Sequence, residues 1–177
     1  MYHLRKAKAG EEALAMDIIN QAKAYLKAQG IDQWQTGYPD LSAILGDIAA
    51  EKGYFLLEND TVFGYACIDY TGEPAYRELK GEWLSAADAP YVVVHRMAFT
   101  KESRGKGLAD EAFRLVAEQA MVNGIFNFRV DTDADNKIMQ HILQKNGFAY
   151  CGVIWFDNSE KIAFENCYHK AVSNKFL

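Results

Sequence analysis

The sequence predicts a mixed α/β fold, with a central, twisted, mostly antiparallel sheet of about seven strands flanked by four helices. Three observations carry this expectation. Strand-like and helix-like stretches follow one another in the order β-α-α-β-β-β-α-β-α-β-β, which suits a largely antiparallel sheet better than a doubly wound parallel one. Two short polar joints, Glu58-Asn59-Asp60 and Asp157-Asn158-Ser159-Glu160, connect neighbouring strand patterns as hairpin turns do. The run Tyr91-Val92-Val93-Val94 is apolar on both faces, as a strand in the interior of a sheet must be.

Taken in order, residues 2–7 form a short first strand. Residues 11–29 place Leu14, Ile18, Ala22 and Tyr25 on one helical face, and Gly30 is a natural stop. A polar-aromatic loop with Trp34 and Tyr38 leads to Pro39-Asp40, which opens a second helix with Leu41, Ile44, Leu45 and Ile48 inward and Gly53 beyond its end. Strands at 54–57 and 61–70 follow, then a long polar excursion, 71–90, that carries Trp83. Residues 91–99 make the central strand. Residues 108–123 make a strong helix with Ala109, Ala112, Phe113, Val116 and Ala120 inside and Gly124 as its stop. Residues 126–132 form another strand. Asp135 is placed to cap a helix over 136–146 that buries Ile138, Ile142 and Leu143. Strands at 148–156 and 161–168 close the chain.

The chain has 177 residues, which predicts one domain spanning 1–177. That length lets roughly 70% of the unfolded surface be buried, so a core needs neither disulfide nor metal. Half the residues are hydrophobic and 24% are charged, which excludes a disordered chain. The net charge of −5 lacks the electrostatic footprint of a general nucleic-acid binder. Cys67, Cys151 and Cys167 lie in apolar strand patterns and read as buried, reduced thiols. No apolar run approaches the ~20 residues of a membrane span, and the first residues lack the apolar stretch of a signal peptide. The expectation is a cytoplasmic protein with no nucleic-acid or membrane partner. Monomer and homodimer both stay open.

One segment carries chemistry. Arg104-Gly105-Lys106-Gly107-Leu108-Ala109 stands between the central strand and the third helix. Its glycines let the backbone approach a ligand closely, and the first amides of the helix point out of an N-terminus whose dipole favours an anion. Arg104 and Lys106 add positive charge. The arrangement suits a pyrophosphate, although a plain turn before a helix uses the same residues. A Walker A loop is absent, and a dinucleotide fingerprint starting at Gly105 fails at Asp110.

The pattern Arg-x-x-Gly-x-Ala at residues 104–109, after the strand Val92-Val93-Val94-His95-Arg96-Met97-Ala98-Phe99, resembles the acetyl-CoA motif of the GNAT superfamily of N-acetyltransferases. A second segment agrees with it: Asn136 through Asn146-Gly147-Phe148 is similar to the family's second cofactor helix. Element order matches too, so the resemblance covers residues 2–170.

The resemblance implies acetyl-CoA as co-substrate and no metal. Backbone groups of Met97, Ala98 and Phe99 would pair with the pantetheine arm. Backbone amides of Arg104, Gly105, Lys106, Gly107, Leu108 and Ala109 would hold the pyrophosphate, and Asn136 would hydrogen-bond the cofactor. The amine acceptor, a small molecule or peptide, would be met by Trp34 and Tyr38 between the first two helices and by Trp83 in the excursion. Asp32 and Asp40 flank that aromatic loop, and carboxylates and ring faces both attract an ammonium. His95, at the acetyl end of the presumed cofactor strand, is the expected base, since an imidazole titrates near neutrality; alternation puts it on the face of Met97, so a packed core histidine fits the same position.

One position departs from the family. Where many members carry a tyrosine that protonates the leaving sulfur, this chain has Leu143, and Tyr150 and Tyr168 are only loose substitutes. A thiolate can still leave near neutral pH, because thiols titrate around 8.5. Leu143 keeps open a non-catalytic acyl-CoA-binding or sensor module, and the glycine loop alone would also fit a generic nucleotide-phosphate binder. Other chemistries fit poorly. Asp131-Thr132-Asp133-Ala134-Asp135 imitates an EF-hand start but lacks its glycine and its closing glutamate. The four histidines have no zinc spacing, and no Gly-x-Ser-x-Gly elbow occurs.

Overall fold

The computed structural model describes residues 1–156 and 158–168. In chain order its elements are β1 (Tyr2–Lys6), α1 (Glu12–Ala28), α2 (Leu41–Ala49), β2 (Gly53–Glu58), β3 (Thr61–Asp69), β4 (Lys80–Gly81), β5 (Tyr91–Phe99), α3 (Leu108–Val122), β6 (Asn127–Thr132), α4 (Lys137–Lys145), β7 (Ala149–Phe156) and β8 (Ser159–Cys167). The mixed α/β class is borne out, with eight strands among the described residues instead of about seven. The additional strand is β4. Two residues, Lys80 and Gly81, carry no periodicity to read; backbone pairing alone makes them a strand, through Lys80↔Val153 and Gly81↔Gly152. A short 3-10 helix, Pro74–Glu78, precedes it.

The chain gathers into two compact units. The first holds residues 1–68 and 95–116. Its strand order is β1-β2-β3 followed by the C-terminal half of β5. β1 runs antiparallel to β2 from Tyr2↔Glu58 to Lys6↔Tyr54. The β2–β3 hairpin closes at Glu58↔Thr61, with Asn59 at φ 53°, a conformation asparagine tolerates better than most residues. One core cluster joins Ala15, Ile18, Ile19 and Ile44 of α1 and α2 to Phe55, Leu57, Tyr65 and Ala98 of the strands. The other joins Leu56 to Leu108 and Ala112 of α3, with Met97 and Phe99 packed against them. Successive residues of β2 and β5 thus feed opposite layers, as strand pleating requires.

The second unit begins at residue 69 with the excursion and the N-terminal half of β5, and resumes at 117. Its strand order runs from that half of β5 through β6, β8 and β7 to β4. β5 and β6 are parallel, in register from Tyr91↔Asn127 to Val93↔Arg129. β6–β8 and β7–β8 are antiparallel, and the register of β7 slips at Cys151, the extra residue between Tyr150↔Phe164 and Gly152↔Ala163. Cys67, Cys151 and Cys167 are buried thiols. Burial, aided by the charge of Glu165, pushes the Cys151 thiol up to about 11. No helix among the described residues is long and apolar enough to cross a membrane.

Several inward faces differ from expectation. On α1 the buried stripe is Ala15, Ile18, Ile19 and Leu26, while Leu14 is exposed. On α2 it is Ile44 and Asp47, and Leu41 and Leu45 face out. The acid Asp47 lies on the packed face because it has a cationic partner there, described below. On α4 Ile138 is exposed and Leu143 fully buried. The cap of α4 is Asn136, not Asp135: its side-chain oxygen accepts from the Met139 amide at 3.0 Å.

Alternation along β6 points Arg129 away from Phe128 and Val130, which suggests solvent. It is only 3% exposed. Its Nε donates to Glu165 Oε1 at 2.9 Å, and its guanidinium lies 4.2 Å from the Trp83 ring centre and 3.9 Å from that of Tyr91. Glu165, with no exposed surface, also accepts from the amides of Leu84 and Ser85 and from the Ser85 hydroxyl. The excursion is thereby stitched over the sheet. Breaking a buried pair by removing one partner typically costs about 3–5 kcal/mol, because the other charge stays buried. Arg129→Met is expected to lose stability of that size in urea denaturation; a loss no larger than that of a surface substitution would show that the pair does not hold the excursion.

Candidate active site

The loop after β5 is built by short-range bonds. The Thr100 amide donates to the Phe63 carbonyl at 2.9 Å, and the buried Ser103 hydroxyl donates back to the Thr100 carbonyl at 2.6 Å. Lys101 N donates to the Gln21 side chain of α1 at 2.9 Å. Arg104 folds back on the same helix, its Nη2 donating to the Gln21 carbonyl at 3.1 Å and its guanidinium 4.4 Å above the Tyr25 ring. Gly105 and Gly107 then take φ 74° and 69°, the left-handed region that side chains disfavour. A Cβ on Gly105 would meet nothing within 4 Å, and one on Gly107 only Asp110 Oδ2 at 3.8 Å. The space beside both glycines is open.

Leu108, 4% exposed, anchors the start of α3 in the core. The first bond of the helix runs from the Glu111 amide to the Gly107 carbonyl at 3.3 Å, so helix geometry leaves the amides of Leu108 and Ala109 without an intrahelical acceptor. Those amides form the positive end of a helix dipole beside the open space of the two glycines, and exposed Lys101, Arg104 and Lys106 add positive charge to the segment. Glu111 in the same turn is tied to Arg114 at 2.6 Å, and that hydrogen bond holds its carboxyl below the usual range. Such an arrangement is chemically suited to an anion.

The strand leading into this loop contains a break. Arg96 sits in β5 at φ 53°, left-handed and not glycine. The expected alternation of His95 with Met97 is interrupted there, and His95, Arg96 and Met97 are all half-buried. The Arg96 side chain enters the α2 side of the unit. Its Nε and Nη2 donate to Asp47 Oδ2 and Oδ1 at 2.8 and 2.5 Å, and its Nη1 donates to the Tyr38 hydroxyl oxygen. Tyr65 adds a fourth member, its hydroxyl donating to Asp47 Oδ2 at 2.9 Å. Burial opposes the charge on Arg96, but the hydrogen bonds and charge of Asp47 outweigh it, and the guanidinium is held above its ordinary pKa. Burial, then the charge of Asp47, pushes the Tyr65 phenol up.

Of the residues expected to meet an acceptor, Tyr38 thus touches this network. Trp34 is half-buried and packed against the α1–α2 core cluster. Lys23 Nζ donates to the carbonyls of Gly37 and Pro39, at 3.0 and 2.5 Å, and Gln35 to the carbonyl of Lys23 at 3.0 Å, so the aromatic loop is tied down. Asp40 accepts from the Ala43 amide at 2.9 Å as the cap of α2. Arg96, Asp47 and Tyr65 were missed from sequence. The signal was there in one form: an acid on the apolar stripe of a helix, and a base in the apolar run of a strand.

A family model, the acetyltransferase (GNAT) family, matches residues 18–148. The chain belongs to this family. A GNAT-family acetyltransferase from Streptococcus agalactiae superposes with a TM-score of 0.85 at 31% identity, over 94% of this chain and 95% of that one. A GNAT-family acetyltransferase from Listeria monocytogenes gives 0.74 at 16%, over 94% of both chains. The aminoglycoside acetyltransferase AAC(6')-Ib, solved with coenzyme A and kanamycin, gives 0.71 at 17%, over 99% of both. At such identities the last two share the fold alone. No curated protein matches the sequence.

The other positions that the GNAT resemblance picked out lie in the second unit. Asn136 is 6% exposed and caps α4. Leu143, in place of the family tyrosine, has no exposed surface. Tyr150 is exposed, whereas burial raises the Tyr168 phenol to about 12. Trp83 donates from Nε1 to the Tyr76 carbonyl at 3.1 Å and lies against Tyr76 and Arg129. Among the described residues no group of three or more His, Cys, Asp or Glu side chains could hold a metal. In the EF-hand-like segment Asp131 accepts from Tyr76 and Asp133 pairs with Lys161.

The packing of Trp34 gives it an anchoring job that can be measured. Trp34→Ala is expected to lower stability by about 2 kcal/mol, below the roughly 3–5 kcal/mol of a fully buried tryptophan because the ring is half-buried. Urea denaturation checks this; an unchanged midpoint would mean the ring contributes nothing to the loop's anchorage.

Proposed function

We propose that this GNAT-family protein transfers an acetyl group from acetyl-CoA to a primary amine by direct attack in a ternary complex. The observation that carries the reading is the loop of residues 104–109, where two left-handed glycines in open space lead into the N-terminus of a fifteen-residue helix. Its amides take the pyrophosphate, and the backbone of Met97, Ala98 and Phe99 takes the pantetheine arm. The amine nitrogen attacks the thioester carbonyl, the C–N bond forms, the C–S bond breaks, and coenzyme A leaves as thiolate. The amide N–H of Met97 or Ala98 faces the oxyanion that develops between those events.

An amine must lose a proton before it attacks. His95, two residues before Met97 on the same strand, is the proposed acceptor of that proton, directly or through a water. The acceptor molecule approaches past Tyr38, on the α1–α2 side of β5, and the chain's net charge of −5 favours a cation over an anion. Leu143 supports a second reading, an acyl-CoA sensor that binds without turnover.

Following thiol release from acetyl-CoA against a panel of amines separates the two. Turnover with an amine is expected; binding of acetyl-CoA without thiol release across the panel would support the sensor. Gly107→Val forces a β-branched residue into a left-handed position and fills the cradle. It is expected to weaken acetyl-CoA binding at least about tenfold, a loss of ~1.4 kcal/mol, while keeping the native circular dichroism. Unchanged affinity in calorimetry would remove the loop from the reading. His95→Gln is expected to lower turnover by about 10²–10⁴-fold, the usual contribution of a general base. Native rates across neutral and mildly alkaline pH would remove His95.

A further inference from the structure

Arg96 is the one non-glycine residue of the central strand in the left-handed region, and its side chain makes three hydrogen bonds to Asp47 and Tyr38. Both facts need a cause. A left-handed backbone is unfavourable for an L-residue of this kind and persists only where its surroundings over-determine it. The surroundings here are a forked ion pair with side chains 12% and 7% exposed, closed on its far side by Tyr65 and on its near side by Tyr38. Tyr65 is itself seated against Gly53, where a Cβ would come within 2.8 Å of the phenol oxygen.

Stability does not account for this construction. Apolar residues of similar volume in place of a buried ion pair are often neutral or stabilising. What the pair does provide is direction: two parallel N–H···O bonds to a carboxylate fix the guanidinium in plane and distance, and the side chain in turn fixes the backbone that carries it. The residues immediately after that backbone are Met97, Ala98 and Phe99.

We infer that the Arg96–Asp47 ion pair is a clamp that holds the left-handed turn in β5, and with it the amides of Met97 and Ala98, in the orientation that receives the acyl thioester. Arg96 and Asp47 are then positioning residues for acyl transfer, and Tyr65 fixes the carboxylate. The inference rests on the acetyl-transfer reading above. It also separates two parts of the site that a single binding constant would merge. The phosphate loop is built on Ser103, Thr100 and Gln21, with no bond to Arg96 or Asp47, so the pyrophosphate end of coenzyme A keeps its cradle when the clamp is removed and only the contacts at Met97 and Ala98 are disturbed.

The test compares wild type, Asp47→Asn and Arg96→Lys. Each is measured for coenzyme A affinity and site number by calorimetry, and for kcat per coenzyme A site at saturating acetyl-CoA. Displacements of about 1 Å cost on the order of 10² in rate. The expected result is a kcat about a hundredfold lower in Asp47→Asn, with coenzyme A affinity lowered far less than kcat. Arg96→Lys keeps the charge and loses the fork, and is expected to rescue little of the rate. A merely structural role would lower the number of coenzyme A sites and leave kcat per site native, which would overturn the clamp.

Should the single variants fold poorly, the triple variant Asp47→Leu, Arg96→Met, Tyr65→Phe decides. It removes both charges of the pair and the Tyr65 hydroxyl that faced them, so it is expected to stay close to wild-type stability and still show the low kcat; native kcat in it overturns the clamp. If wild type neither binds acetyl-CoA nor releases thiol with an amine, the acetyl-transfer reading itself falls, and the clamp with it. If wild type turns over and the variants match it, only the clamp falls.

Discussion

Strand β5 has to be two things along nine residues, and much of the architecture follows from that constraint. Val92, Val93 and Val94 are buried, at most 4% exposed, and hold the strand in the sheet by apolar contact on both faces. Three residues later the same strand comes to the backbone groups that the proposed reaction would offer to a ligand. The change of character happens at Arg96. A left-handed residue there breaks the pleat, and the cost of that conformation is offset by a carboxylate placed on a neighbouring helix. Asp47 lies on the packed face of α2 for this reason, and α2 turns Leu41 and Leu45 outward around it.

Each unit buries charge in pairs. Arg96 meets Asp47 in the first; Arg129 meets Glu165 and Lys161 meets Asp133 in the second. None of these pairs is close in sequence, the partners being 49, 36 and 28 positions apart. Such pairs gain little over apolar packing, but they discriminate sharply between one arrangement and its near neighbours, since a displaced partner leaves an uncompensated charge. In the second unit that discrimination is spent on a loop: Glu165 accepts two amides and a hydroxyl from the segment around Leu84 and Ser85, so an excursion with few apolar residues acquires a defined position.

The proposed anion site is made of different material. Its donors are backbone amides at a helix start, its shape comes from two glycines, and its cations are exposed. Such a site depends little on which side chains surround it, which fits a loop matched by a family model while sequence identity to most solved relatives is low. The surface around Tyr38 is the opposite case. Its chemistry is carried by side chains, and side chains are what members of one fold vary most freely.

The element order, both hairpins, the glycine loop and the ends of the helices were legible in the sequence by itself, because each rests on local physics. Asn59 and Asn158 turn the chain, Gly30 and Gly147 end helices, and Gly105 and Gly107 permit a conformation within a few residues of themselves. The helix faces were half legible: periodicity located the stripe on α1, but the buried set moved by one residue, to Ala15, Ile18 and Ile19, because the residues that cover a helix come from elsewhere in the chain. Only the tertiary structure decided the strand β4, the burial of Arg129 and the pairing of Arg96 with Asp47. A charged side chain inside an apolar pattern says that a partner exists and not where it is. The partner is supplied by segments tens of residues away, and which one arrives is settled by how the sheet brings them together.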